Sequence, residues 1–154
     1  MLTEAIKKSI QDSVLCWLAT SDTEGMPNVS PKELFTFYGE DQILVANIAS
    51  PQSLKNIRQN PNVCISFIDI FVQKGFQIKG TARIIDQKEE AFEALHAVLF
   101  EMAGERFPFS SLTSIQIQKV KPIIAPSYFM YPESTTEESQ VHSALKRYGV
   151  RLAK

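Results

Sequence analysis

Strand-like runs follow one another along this chain with little more than turns between them, and that succession limits the fold more than any other feature. "SVLCWLAT" (13–20), "NVSPKELFTFY" (28–38), "ILVANI" (43–48), "NVCISFIDI" (62–70), "KGFQIKGTARIID" (74–86) and "TSIQIQKVKPII" (113–124) are apolar or alternate on a period of two. Parallel neighbours need a crossover of about a dozen residues or more, whereas "SDTEGMP" and "GEDQ" are only long enough to turn the chain back. Helices are inserted between some strands rather than after every one. The pattern predicts a mainly β chain with peripheral helices, six or seven strands closing an antiparallel barrel.

The local signals place the helices. Thr3 is a cap for a short helix in which Ile6 and Ile10 recur four residues apart, ending near Asp12 or Ser13. Ser50-Pro51 starts a two-turn helix, "QSLKNIRQ", that Asn60-Pro61 stops. Asp86 and Glu89 have capping-box spacing ahead of the longest helix, with Phe92, Leu95, Leu99 and Met102 on one stripe and Gly104 at its end. "SYFMY" is expected as a short strand and "TEESQVHSALKRYG" as a polar terminal helix. In "SVLCWLAT" both alternating sets are apolar, which predicts a strand buried on both faces.

With 154 residues, 44% of them apolar, the chain is sized for one domain (1–154) with a substantial core. Sixteen Lys and Arg against seventeen Asp and Glu leave a net charge of −1, without the global field that would hold a nucleic acid. No apolar run approaches the roughly 18 residues of a membrane span, so no membrane role and a cytoplasmic location are expected. Cys16 and Cys64 lie in apolar runs without CxxC spacing, and His96 and His142 belong to no nucleophile or metal motif. GxGxxG and GxxxxGK[ST] do not occur. No catalytic residue is identified.

One strand breaks the apolar pattern. "PNVSPKE" (27–33) puts Asn28, Ser30 and Lys32 on one face and Val29 on the other, with a bulge expected near Pro31 and Glu33. Two prolines each remove a ladder hydrogen bond, so this is either a guarded edge or a strand whose polar atoms face a ligand. Asn47, expected on the hairpin partner, and Ser50 and Ser53, at an open helix start, would lie close by. Hydroxyls, amides and the charge of Lys32 or Lys55 beside a helix N-terminus suit a phosphate. The plainer alternative is that Ser-Pro simply starts a helix and the lysine protects an edge.

"LATSDTEGMPNVSPKELF", "LVANIASPQSLKNIRQNPNVCISF" and "FQIKGTARII" resemble, in order and spacing over residues 13–86, the pyridoxamine 5′-phosphate oxidase-like FMN-binding split-barrel proteins. The resemblance implies a six-stranded split β-barrel and a homodimer with FMN held at the interface by both chains. Asn28, Val29, Ser30, Pro31 and Lys32 would then run along the flavin, with Asn47 beside them. Ser50, Ser53, Leu54, Lys55 and Asn56 would hold the phosphate, and Gln77 and Lys79 would approach the ring edge or ribityl chain. Where the family usually has Lys after Ser-Pro, this chain has Gln52-Ser53, which moves phosphate neutralisation to Lys55 or Lys32. The Arg- and Trp-containing C-terminal segment of true pyridoxamine phosphate oxidases is echoed only superficially by "YGVRLAK". The implied activity is therefore FMN-dependent electron or hydride transfer, flavin reductase-like, with NADH or NADPH as a redox partner. The alternatives are a flavin or haem carrier or sensor without turnover, and a cofactor-free dimeric interaction protein.

Overall fold

A computed structural model describes residues 1–151; the last three residues of "YGVRLAK" lie outside the described residues. The chain opens with α1 (Glu4–Asp12), capped by Thr3, whose Oγ1 accepts from the Ile6 N–H at 3.4 Å. Then come β1 (Cys16–Ser21), β2 (Pro27–Lys32), β3 (Phe35–Tyr38), β4 (Gln42–Ala46), α2 (Pro51–Gln59), β5 (Asn62–Asp69) and β6 (Lys74–Asp86). The remainder is α3 (Phe92–Ala103), β7 (Ser111–Ile124), α4 (Ser127–Met130) and α5 (Glu137–Tyr148).

All seven strands form one antiparallel sheet in the order β2-β1-β5-β6-β7-β4-β3. The two edge strands, β2 and β3, are consecutive in sequence and separated only by residues 33–34. Three chain links of about 3.5 Å each cannot cross a flat seven-stranded sheet, so the sheet must curl until its edges nearly meet. The result is a barrel with a seam between β2 and β3. The expected bulge near Pro31 and Glu33 is this seam instead. Splitting the run there also makes seven strands of the implied six.

The interior is filled by Leu18, Ile43, Ile65, Phe67, Ile78 and Ile115, with Ile6 and Ile10 of α1 and Ile57 of α2 packed on. A second core lies under α3, where Phe92, Leu95 and Leu99 meet Leu44, Ile85 and Leu112. β4 therefore sends Ile43 and Val45 to one core and Leu44 and Ala46 to the other, and it is buried on both faces, as is the start of β7. β1 is not: Cys16 and Leu18 are buried, but Trp17 is 48% exposed. The apolar character of both strands is the same in sequence; only β4 has a helix over its second face.

Four local expectations are corrected. Asp86 ends β6 and its Oδ1 accepts from the Lys88 N–H at 2.9 Å, while Glu89 pairs with Arg83 at 2.7 Å, so α3 starts later without a side-chain cap. Ala103 rather than Met102 completes the buried stripe of α3, and α5 equals α3 at 12 residues. "SYFMY" is a short helix, not a strand, because β7 has already completed the ladder and Pro126 leads into a turn.

Candidate functional site

β2 is an edge strand paired only with β1, which is where proline costs a sheet least. Its exposed residues are Pro27, Val29 and Pro31; Asn28 and Ser30 are half-buried and Lys32 is buried. Asn28, Ser30 and Lys32 thus share the face turned toward α2, as their period of two predicts.

A network of short polar side chains fastens α2 to β1 and β2. Asn28 Nδ2 donates to Thr20 Oγ1 at 3.3 Å and to Ser53 Oγ at 3.2 Å. Asn56 Nδ2 donates to the same Thr20 Oγ1 at 3.1 Å, and Gln52 Nε2 donates to Asn56 Oδ1 at 2.8 Å. Ser53 and Asn56 are almost wholly buried, so these bonds satisfy groups that water cannot reach.

Lys32 is only 7% exposed and its ammonium donates to Ser50 Oγ. Among the described residues it has no carboxylate partner within ion-pair distance. Burial lowers its pKa, opposed by its neighbour across the ladder, Cys16. Burial also pushes the Cys16 thiol far above its ordinary value, so that sulfur is neutral and supplies no counterion. Because Ser50 Oγ accepts from Lys32, it does not cap α2, and the helix starts with Pro51, which has no N–H. The first in-helix bond runs from the Leu54 N–H to the Ser50 carbonyl at 3.1 Å, leaving the Gln52 and Ser53 amides without helical acceptors.

A cavity of about 360 Å³ opens beside this cluster. Lys32, Glu33 and Ser50 give it polar lining, and Leu34, Ile48 and Phe107 give it apolar walls. An unpaired buried cation, a hydroxyl and an apolar hollow can take an anion carried on an apolar body. Sequence reasoning missed Glu33, Leu34, Ala46, Ile48, Ala49 and Phe107. Phe107 had a signal: an aromatic residue in "GERFPFS", a Gly- and Pro-bearing connection that needs no apolar side chain of its own.

Other expected residues lie elsewhere. Asn47 is not on a hairpin partner of β2; β4 pairs with β3 and β7. Its Oδ1 accepts from Thr113 Oγ1 at 2.8 Å and its Nδ2 donates to Ser111 Oγ at 3.3 Å, which turns it toward β7. Lys55 is exposed and Leu54 half-buried, whereas Ser53 and Asn56 form the buried face of α2. Gln77 and Lys79 are on the opposite face of the sheet from Ser30. Ser30 is in register with the buried Leu18, Ile65 and Ile78, whereas Lys79 is in register with Cys64, Ala19 and the exposed Val29.

His96 is half-buried between Phe92, Phe100 and Phe109, at centroid distances of 5.0, 5.6 and 4.5 Å, and His142 lies on α5. Neither lines the cavity. Both cysteines are free, and among the described residues no three His, Cys, Asp or Glu side chains gather as a metal site. No described helix is long and apolar enough to cross a membrane.

The family model for pyridoxamine 5′-phosphate oxidase matches residues 2–123. No curated protein sequence matches the chain. Among solved structures, a tagged HupZ of Group A Streptococcus is 25% identical with a TM-score of 0.68, over 78% of this chain and 92% of that one. HutZ, the heme storage protein from Vibrio cholerae, is 23% identical with a TM-score of 0.64, over 80% of this chain and 95% of that one. An FMN-binding protein from Syntrophomonas wolfei is 17% identical with a TM-score of 0.67, over 79% and 86% of the two chains.

Proposed function

The chain belongs to the pyridoxamine 5′-phosphate oxidase family, and on that premise we propose that it is an FMN-binding oxidoreductase, flavin reductase-like rather than a vitamin B6 oxidase. The observation that carries the reading is Lys32, a buried cation with no carboxylate partner among the described residues, on the wall of an apolar cavity. A flavin phosphate supplies the missing negative charge and its ring the missing apolar filling.

Lys32, Ser50 and the open amides of Gln52 and Ser53 hold the phosphate end in this reading. Asn28 and Asn56 act indirectly, by fixing α2 against β1 and β2. Leu34, Ile48 and Phe107 keep water from the ring. Gln77 and Lys79, on the other sheet face, reach a flavin only from a second protomer, so the reading includes a homodimer. Flavin held by these residues would supply hydride-transfer chemistry of its own, so the chain would need no general acid or base. NADH or NADPH is the proposed reductant.

Protein supplied with excess FMN is expected to retain visible flavin absorbance and to quench flavin fluorescence. Neither effect appearing sinks the proposal. A second reading, a carrier without turnover, is favoured by the fold shared with HutZ, whose name makes it a heme storage protein. Flavin bound here that stays oxidised under excess NADH and NADPH would select the carrier. Neither His96 nor His142 lines this cavity, whereas Lys32 and Ser50 suit a phosphate, which supports FMN over haem as the cargo in this reading.

A further inference from the structure

Lys32 alone among the described lysines is buried, and it lines a cavity. Lys7 leans on Glu40 at 3.0 Å, Lys8 on Asp12 at 2.7 Å and Lys74 on Glu137 at 2.7 Å, and the other described lysines stand exposed to water. The cavity takes its polar atoms from Lys32, Glu33 and Ser50 and its walls from Leu34, Ile48 and Phe107. Glu33 is exposed, and no ion pair among the described residues joins it to Lys32. An ammonium in such surroundings is relieved in two ways: by an anion that pairs with it, or by a reaction that removes its charge. Burial already favours the neutral amine, holding the Lys32 pKa below the ordinary lysine value. A neutral amine facing an apolar cavity is a nucleophile for carbonyl carbon.

We propose that Lys32 is a covalent site for an aldehyde carried on a compact apolar body, which it takes up as an imine. This site shares the cavity of the flavin reading but not its ligand, and it needs no flavin. The neutral amine adds to the carbonyl carbon, forming the Nζ–C bond as the carbonyl π electrons pass to oxygen. A proton then moves from nitrogen to that oxygen to give a carbinolamine. Its hydroxyl takes a proton from water and leaves as water, while nitrogen yields its remaining proton to the hydroxide so formed and closes the C=N bond. The sum is amine plus aldehyde to imine plus water, with nothing oxidised or reduced. Ser50 Oγ, which accepts from the ammonium, becomes a donor once the amine is neutral and is placed to hold the carbonyl oxygen. At about 360 Å³ the cavity lies at the small end of the roughly 300–1,000 Å³ range of ligand sites, which limits the body to a small ring or a branched chain.

The purified protein is incubated at neutral pH with para-isopropylbenzaldehyde, an apolar aldehyde of suitable size, or with glycolaldehyde, which has no apolar body. Sodium cyanoborohydride reduces any imine to a stable secondary amine, and peptide mass mapping reads the adduct at each lysine. With the aromatic aldehyde, Lys32 is expected to carry roughly 10-fold more adduct than any exposed lysine, because the cavity holds the carbonyl beside the amine. Glycolaldehyde should lose that enrichment. Phe107→Ala, which opens one apolar wall at a residue 46% exposed, should lower the Lys32 adduct toward the level of the exposed lysines. Circular dichroism melts check that the variant is folded. Adducts spread over the exposed lysines with none concentrated at Lys32 overturn the proposal, as does an enrichment that glycolaldehyde shares or that Phe107→Ala leaves unchanged. FMN uptake is read separately by absorbance. Protein that takes up no FMN yet is labelled at Lys32 keeps the imine and loses the flavin reading; protein that retains FMN but, when empty, is labelled at Lys32 no more than elsewhere keeps the flavin reading and loses the imine.

Discussion

Lys32 faces Cys16 across the β1–β2 ladder, and burial holds its pKa below the ordinary lysine value. Between the lowered value and the ordinary one, about 10.4, the unfolded chain binds more protons than the folded chain. Stability of the empty protein therefore rises with pH through that interval, because the buried charge is being removed. Anion binding has the opposite sign, since it needs the ammonium, and FMN affinity should fall as pH rises through the same interval. Lys32→Met should weaken FMN binding roughly 10- to 100-fold, the worth of a charge-assisted hydrogen bond, and flatten its pH dependence. The empty variant should melt no lower than the parent, because methionine fills the space without a charge to bury. Flavin titrations from neutral to alkaline pH, with melts of the empty protein, check both halves; a structural lysine would give lost stability and unchanged affinity.

At the scale of elements, β6 has to lie close to both neighbours to close the barrel. A Cβ on Gly75 would stand 2.1 Å from the Phe67 carbonyl oxygen, and one on Gly80 would stand 2.2 Å from that of Gln116. Both obstacles are backbone and cannot rotate away. Gly75→Ala should cost about 1–3 kcal/mol or more, lowering the melting midpoint by roughly 2–4 °C per kcal/mol in thermal denaturation. Gly80 sits at the register shift of the β6–β7 ladder, and this irregularity has no counterpart in the β5–β6 pairing. α2 is the element that couples fold to site. Its buried face, Ser53, Asn56 and Ile57, is held to β1 and β2 by hydrogen bonds and to the barrel core by packing, so its open N-terminus is fixed beside Lys32.

For the whole molecule, a ligand that binds only the folded state stabilises it by mass action. FMN at about 100 times its Kd should add roughly 2.7 kcal/mol, raising the melting midpoint by about 5–10 °C for a chain of this size. Differential scanning calorimetry with and without FMN measures this; an unchanged midpoint at saturating FMN counts against a site on the folded chain. The barrel's closure explains why one chain cannot bring all the expected residues together. Curling turns Ser30 and Lys32 toward α2, while the same strand alternation turns Gln77 and Lys79 outward.

What the sequence determined by itself was local: period-two alternation marked the strands, Thr3 and Ser50-Pro51 marked helix starts, and short turns forced antiparallel neighbours. It also put Asn28, Ser30 and Lys32 on one face, since that follows from the pleat alone. Tertiary structure decided which of two equally apolar strands was buried twice, because that depends on α3 lying over β4 rather than β1. It decided that Asn47 bonds to β7 and which cavity Phe107 walls, because these contacts span about 60 residues or more of chain and no local pattern names the partner. "PNVSPKE" reads as an anomalous strand until the sheet closes. Closure makes it the seam, where prolines cost little and a lysine is buried with no carboxylate partner among the described residues.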